Sequence, residues 1–312
     1  MSGPFVLVPI AITDAMVSSS TAAEPGAGEV AWNAATSYTL GQECILTSTH
    51  RVYECLIAGV DAISPDVSVS LTTPHWIDKR PTNKWATFDG QINTQTAVVT
   101  PLTNVLLPGV FNAIALYGLD GAAISISVKD APGGTVIYSY SGDLVEPPMD
   151  HYDYYFGRIK PLTKVLCRDI VPYANPEVTI GITAAAGITV KAGMIALGDL
   201  RTLVTIEGNG GMEYGAKAKP ITYSYIDTDE FGVTKIIRRT KATDLDIRVE
   251  VPSADTDSAL ATIQDVLDIP AAWIGSDSDG FTGLNVFGLA SGDVSYEGPA
   301  HSVISINVKG FI

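Results

Sequence analysis

The chain has 312 residues, of which 34 are acidic and 19 basic, so its net charge is −15 with neutral histidine. This charge argues against nucleic-acid binding, which requires clustered cations, and against an anionic membrane surface as a partner. Hydrophobic residues make up 46% and charged residues 17%, which excludes a disordered chain, and 29 glycines with 18 prolines indicate many turns between short strands. The length predicts two or three domains.

Disulfide frameworks, metal sites and membrane helices are not predicted. Three cysteines in a chain of this length form no disulfide framework, and the four histidines are too far apart in sequence for a metal motif. No apolar run reaches the ~20 residues of a membrane helix, and the opening residues lack the basic start of a signal peptide. We therefore expect no cofactor, no metal and no membrane insertion, with folding in a reducing cytoplasm.

Residues 1–28 are predicted to form an N-terminal arm and a linker. The apolar run from Phe5 to Ile12 is typical of a strand, but Pro9 interrupts it. Because proline cannot donate to a strand ladder, we expect an edge strand or an arm that adds to a neighbouring molecule. The segment Ser18–Gly28 is rich in serine, alanine and glycine, which is typical of a linker.

Residues 29–80 are predicted to form a small aromatic β module. Two runs, Cys44–Thr47 and Arg51–Cys55, can pair as a hairpin around Thr49-His50. That register places Cys44 opposite Cys55 and Leu46 opposite Tyr53. The two thiols can either form a disulfide under oxidation or pack reduced as small hydrophobic side chains.

Residues 81–206 show the period-two alternation of strands separated by turn residues, which predicts a β-sandwich or jelly-roll-like domain. The alternating runs are Ile124–Val128, Val136–Tyr140, Val178–Ile182 and Ile188–Val190. The glycine-rich stretch Glu207–Gly211 then predicts a linker, because glycines resist ordering.

Residues 212–312 are predicted to form an α+β domain that docks on a tail. Leu245–Val251 and Val303–Val308 alternate as strands, and Asp227–Gly232 is predicted to be a hairpin tip. Ser253 is the expected cap of a helix that ends by Pro270. The apolar face of this helix is predicted to consist of Ala259, Leu260, Ile263, Val266 and Leu267. Asp277–Gly280 resembles the start of a calcium loop but lacks its later ligands, which favours a solvated turn.

Aromatic side chains in the module are the strongest candidate site. Trp32, Tyr38, Tyr53 and Trp76 lie close to its predicted hairpin. Exposed aromatic rings on a rigid β module stack on the flat C–H faces of sugars, which predicts a saccharide platform. The same four rings could instead form the small core of the module, since ~50 residues have little else to bury. Both interpretations stay open at this point.

Catalytic motifs are absent from the sequence. It contains no Walker loop, dinucleotide fingerprint, nucleophile elbow or zinc-protease motif, and we expect no enzyme. The alternative is a glycan hydrolase or depolymerase that uses carboxylates near Glu146, Asp150 or Asp153, although a Tyr-rich strand or loop face there could equally serve an interface. The cationic stretch Arg238–Lys241 predicts a solvated strand or an ion pair between subunits.

The module resembles the small chitin-type carbohydrate-binding modules. The matching pattern runs from Trp32 through Tyr38-x-x-Gly41-x-x-Cys44 and Arg51-x-Tyr53 to Trp76, with Cys44 where valine is usual. The resemblance covers about fifty residues and implies a possible sugar-binding role for Trp32, Tyr38, Tyr53 and Trp76.

The wider chain resembles tailed-bacteriophage tail-tip or baseplate-associated proteins in the order of its motifs. These motifs are Val8-Pro9-Ile10-x-Ile12-Thr13-Asp14-Ala15-Met16, Arg80-Pro81-Thr82-Asn83-Lys84-Trp85-Ala86-x-Phe88-Asp89-Gly90, Ala115-Leu116-Tyr117-Gly118-Leu119-Asp120, Asp229-x-Phe231-Gly232 and Trp273-Ile274-Gly275-Ser276. The resemblance implies a structural virion protein that is assembled in the host cytoplasm, with other tail proteins as partners and no catalytic residues.

We therefore predict a mainly β protein with a small aromatic module, a sandwich-like domain and a C-terminal α+β domain. Its predicted function is structural, in a phage tail tip or baseplate, as a homo-oligomer of three or six copies with possible attachment to a host surface glycan. The alternatives are the depolymerase and a free carbohydrate-binding protein.

Overall fold

The computed structural model describes residues 4–146, 150–204, 211–228, 230–276 and 281–311. Its strands are β1 (Phe5–Pro9), β2 (Val17–Ser20), β3 (Ser37–Tyr38), β4 (Glu43–Leu46), β5 (Arg51–Cys55), β6 (Gly59–Val60), β7 (Trp76–Pro81), β8 (Thr96–Val99), β9 (Leu102–Leu106), β10 (Ala113–Tyr117), β11 (Ala123–Lys129), β12 (Val136–Asp143), β13 (Lys164–Cys167), β14 (Glu177–Thr183), β15 (Thr189–Ala192), β16 (Met194–Thr202), β17 (Gly211–Met212), β18 (Lys217–Thr222), β19 (Tyr225–Thr228), β20 (Thr234–Ile237), β21 (Lys241–Pro252), β22 (Ala271–Ile274), β23 (Asn285–Ser295) and β24 (His301–Gly310). The helices are α1 (Pro65–Ser68), α2 (His151–Phe156) and α3 (Thr256–Gln264). The prediction of a mainly β fold is confirmed.

The largest sheet has ten antiparallel strands, in the order β13-β10-β16-β1-β22-β23-β24-β21-β17, with β18 also paired to β21. It takes strands from the predicted arm, from residues 81–206 and from residues 212–312. The two regions predicted as separate domains therefore share one sheet, across the glycine-rich boundary. Of the predicted linker, Gly211 begins β17, and residues 207–210 lie outside the described residues, as does the calcium-loop-like Asp277–Gly280.

Strand β1 lies in the interior of this sheet, which corrects the prediction of an edge strand or arm. It pairs with β16 on one side and with β22 on the other. Pro9 pairs only with Gly198, because the β22 pairing ends at Leu7, so the missing N–H of proline is not needed there. A Cβ on Gly198 would lie 1.9 Å from the Val8 carbonyl oxygen, and the close approach of the two strands therefore requires glycine.

The second sheet has five strands in the order β12-β11-β14-β9-β2. The alternating runs predicted at Ile124–Val128, Val136–Tyr140 and Val178–Ile182 lie in β11, β12 and β14, as expected. Their inward side chains share one core with the inner face of the large sheet, through residues such as Ile114 and Leu197. Strand β2 belongs to this sheet, so the predicted linker at Ser18–Gly28 begins as a paired strand.

The C-terminal helix forms where it was predicted, with different ends. Ala259, Ile263 and Val266 are buried against the large sheet. Ser253 does not cap the helix, because its hydroxyl donates to the Pro299 carbonyl oxygen at 3.0 Å, and the first turn starts after Asp255. In the part of the chain that the structure describes, no helix is both long and apolar enough to cross a membrane.

Candidate functional site

The aromatic module is built on the three-stranded sheet β4-β5-β7 and the short pair β3-β6. Its core consists of Tyr38, Cys44, Tyr53, Cys55 and Trp76, with Trp32 and Leu46 packed against it. The rings of Tyr38 and Trp76 meet edge to face, with centroids 4.9 Å apart and planes at 79°. This geometry is favourable for aromatic pairs and stabilises a small core.

The hairpin of the module forms as predicted, but the predicted register is wrong. Cys44 lies opposite Tyr53 and Leu46 opposite Arg51, so the turn contains four residues. His50 adopts a positive φ of 56°. The predicted two-residue turn would also require a left-handed conformation at Thr49, which a β-branched residue resists.

The saccharide platform is contradicted by burial. Trp76, Tyr38 and Tyr53 are only 1%, 2% and 3% exposed, and Trp32 is half-buried. The polar atoms of the buried rings are used internally: the Trp76 indole donates to Asp61 at 3.1 Å, and the Tyr38 hydroxyl accepts from the Asn33 amide at 2.8 Å. Because a module of this size has few large side chains, its aromatic rings are needed for its own core.

The exposed apolar surface of the module is aliphatic instead. Within residues 29–80, all of which the structure describes, no aromatic side chain is exposed. The exposed apolar residues are Val30, Leu40, Leu56, Ile57, Val60, Ile63, Val67, Val69, Leu71 and Ile77. Aliphatic side chains offer no ring for stacking on a sugar, whereas a patch of them is typical of a protein contact.

The N-terminal segment is anchored to the module by Glu24. Its buried carboxylate lies 2.9 Å from Nδ1 of His50 and accepts the Thr82 hydroxyl at 2.6 Å. The His50 ring also stacks on Trp85, with centroids 4.2 Å apart. The segment predicted as a linker is therefore held at its centre by a charged hydrogen-bonded contact.

The hairpin β19-β20 is exposed along its whole length. The hairpin tip forms at the predicted position, Asp227–Gly232, where Asp229 is outside the described residues. The two strands pair only with each other. All eight strand residues are exposed, including Ile226 at 62% and Ile236 at 61%, and Phe231 beside the tip is 90% exposed. An isolated two-stranded hairpin is marginally stable in water, so this one is suited to burial against another surface.

Basic residues flank the hairpin: Lys217 and Lys219 lie on β18, and Arg238, Arg239 and Lys241 follow β20. Residues 217–241 carry six basic side chains against three acidic ones, in a chain whose net charge is −15. From here on we call residues 217–241 the arm, which is distinct from the N-terminal arm predicted at residues 1–28. The cations of Arg238–Lys241 are exposed. The arm thus combines exposed apolar side chains with a charge opposite to that of the whole chain.

The carboxylates of the depolymerase alternative have different surroundings. Asp150 caps α2, where its Oδ1 accepts the Asp153 amide at 2.7 Å. The helix replaces the predicted strand or loop and exposes the aromatic side chains of Tyr152, Tyr154, Tyr155 and Phe156. Glu146 lines a cavity that neither aspartate lines. The described residues contain no group of three side chains able to hold a metal ion.

No protein-family model, curated protein or solved structure matches this chain.

A cavity beside Lys164 is a feature that the sequence did not indicate. Lys164 begins β13, and its ammonium group donates to the Asn285 carbonyl oxygen at 2.6 Å. Burial lowers the pKa of this lysine. Its local sequence, Lys164–Arg168, is an ordinary alternating strand, and no local signal shows that the fold brings it to Asn285.

The three cysteines offer a test of the packed cores. All three are free and buried, and burial raises the pKa of Cys44 to about 12. Since the thiolate is the reactive form, we expect no reaction with Ellman's reagent at pH 8 in the native protein and full reaction of all three in guanidinium chloride. Rapid labelling of Cys44 or Cys55 before unfolding would contradict the packed module core.

Proposed function

We propose that the chain is a non-enzymatic structural component of a tailed-bacteriophage tail tip or baseplate, which assembles with further copies of itself. The exposed arm is the observation that carries this proposal. Its hairpin has apolar side chains and no core of its own. A subunit of a symmetric assembly gains such a core from its neighbour.

Charge supports a second copy of this chain as the neighbour. The arm is basic, while the chain as a whole is strongly acidic. Contact between the arm of one copy and the acidic body of the next reduces repulsion between like-charged subunits. A heterologous contact of this kind closes into a ring when the rotation between copies permits it.

Two further surfaces are suited to neighbouring tail proteins. The exposed aromatic helix α2 and the exposed aliphatic side chains of the module are separate from the arm in sequence, and exposed apolar side chains are suited to protein contacts. We assign them to contacts with other virion proteins after assembly in the host cytoplasm.

The test is the mass of the purified full chain, measured by light scattering across the micromolar range. We expect a closed assembly of three or six copies, with a mass that falls at high salt because the arm contact is partly ionic. A monomer at every concentration and at low salt would contradict self-assembly.

A further inference from the structure

The large sheet curls strongly enough to bring its edge strand close to β23. Strand β13 is at one end of the sheet, and β23 lies five strands away in its order. At about 4.8 Å per strand, a flat sheet would separate them by roughly 24 Å, far beyond the reach of a lysine. Yet Lys164 on β13 donates to the carbonyl oxygen of Asn285 on β23. The sheet is therefore curled so that Lys164, at the start of β13, meets the start of β23.

Lys164 is held at this position by neutral groups. Its ammonium nitrogen lies 6.0 Å from the centroid of the Tyr117 ring, and the buried Tyr117 hydroxyl donates to Oδ1 of Asn285 at 2.6 Å. Among the described residues, no carboxylate forms an ion pair with Lys164. A partly buried ammonium group with only a carbonyl and an aromatic face as partners is incompletely compensated, and an anion beside it would be stabilising.

Open space adjoins Lys164 on both sides. A cavity of about 370 Å³ is lined by Lys164, Arg168, Glu146 and residues of β22 and β23. A second cavity, of about 440 Å³, lies toward Tyr117 and Phe311. Both volumes are within the range of small-molecule sites.

The lining of the first cavity defines the ligand chemistry. Lys164 supplies an ammonium group with no carboxylate partner among the described residues, and Ser276 and Thr282 supply hydroxyls. Glu146 supplies one carboxylate, and the Arg168 guanidinium is already paired with Asp169 at 3.5 Å. The Lys164 ammonium group attracts a carboxylate and can donate a charged hydrogen bond to it. The Glu146 carboxylate disfavours a phosphate dianion but accepts hydrogen bonds from the hydroxyls of a ligand.

We propose that this cavity binds a sugar acid, a monosaccharide with one carboxylate, with Lys164 on its carboxylate and Glu146 and Thr282 on its hydroxyls. This site is separate from the aromatic module and does not depend on the assembly role of the arm. It would give a structural tail protein a contact with an acidic glycan.

The test is titration of the full chain with glucuronate by calorimetry, with glucose and inorganic phosphate as comparison ligands. We expect saturable binding of one glucuronate per chain in the millimolar range, no detectable binding of glucose, and weaker binding of phosphate. Lys164→Met should weaken glucuronate binding roughly tenfold or more, because a charged hydrogen bond is lost. Lys309→Met, which changes an exposed lysine outside the cavity, is the matched control and should leave binding unchanged.

A measurement on the unmodified chain covers the case in which Lys164→Met fails to fold. Glucuronate should slow the labelling of Lys164 by an amine reagent, followed by mass spectrometry, and should leave the labelling of Lys309 unchanged. The proposal is overturned if glucuronate shows no saturable binding, if a folded Lys164→Met variant binds it as the native chain does, or if phosphate binds more tightly. The proposal is also overturned if glucuronate leaves the rate of Lys164 labelling unchanged.

Discussion

Removal of the exposed hairpin is expected to convert the assembled protein into a monomer without destabilising its body. In the variant, an Asn-Gly turn replaces residues 223–240 and joins β18 directly to β21. Thr222 and Lys241 are already paired opposite each other, and Asn-Gly is the preferred sequence for a two-residue hairpin turn. The native pairing of β18 with β21 is therefore kept.

The size of this effect follows from the structure of the arm. The strands β19 and β20 pair only with each other, so their loss removes no described contact from the body of the sheet. The loss does remove exposed apolar side chains that self-assembly would bury, at about 25 cal/mol per Å². We expect the mass from light scattering to fall from three or six copies to one. The thermal midpoint of the shortened chain should lie within a few degrees of that of the native chain measured under conditions in which it is dissociated.

Point substitutions separate the apolar contribution from the change in chain length. Ile226 and Ile236 are paired across the hairpin and are both exposed. Ile226→Thr with Ile236→Thr keeps the β-branched shape and should weaken assembly. Val136→Thr, at a strand position of the second sheet that is 51% exposed, is the control and should leave the mass unchanged. Native mass in the shortened variant would assign assembly to another surface.

Trp76→Ala is expected to unfold the module. The indole is the largest side chain of the module core, packs edge to face on Tyr38 and donates to Asp61. Truncation of a buried tryptophan costs about 3–5 kcal/mol, and it also removes a hydrogen-bond partner of a mostly buried carboxylate. A small module has little stability from which to lose this amount.

The measurement is denaturant unfolding, with thiol labelling of Cys44 and Cys55 as a local probe of the module. Ile77→Ala, at the next residue, is the matched control, since that side chain is 48% exposed and should cost less than about 0.5 kcal/mol. A folded Trp76→Ala protein with native stability and protected thiols would show that the indole is not needed for the core, and the platform interpretation would return.

Local pattern was sufficient for most strands and for most of the apolar face of the helix, although the predicted Leu267 is 42% exposed. Ile124–Val128 alternates because one face of β11 is buried and the other is not, and this constraint acts within a few residues. Ala259, Ile263 and Val266 follow the period of a helix for the same reason. The hairpin tip at Asp227–Gly232 was also visible, because Gly232 supplies a positive φ that other residues resist.

Several errors arose where the answer depended on partners that are distant in sequence, whereas the hairpin register and the helix cap were local errors. Pro9 would exclude an interior position for β1 only if both neighbouring strands paired with it at Pro9. The pairing with β22 ends at Leu7, and the sequence does not show this. The register of the Cys44 hairpin was decided by the backbone of a four-residue turn at Thr47–His50. Aromatic residues of the module show the same spacing whether they point outward or inward, so the sequence could not decide between a platform and a core.

The sequence by itself determined that this is an acidic, mainly β protein with a hairpin tip at Asp227–Gly232, because charge, alternation and turn residues are local properties. Only the tertiary structure decided that one sheet unites the predicted domains, that the aromatic rings are buried, and that Lys164 meets Asn285, 121 residues away. These features depend on non-local pairing and sheet curvature, which are set by the packing of the whole chain rather than by any one segment.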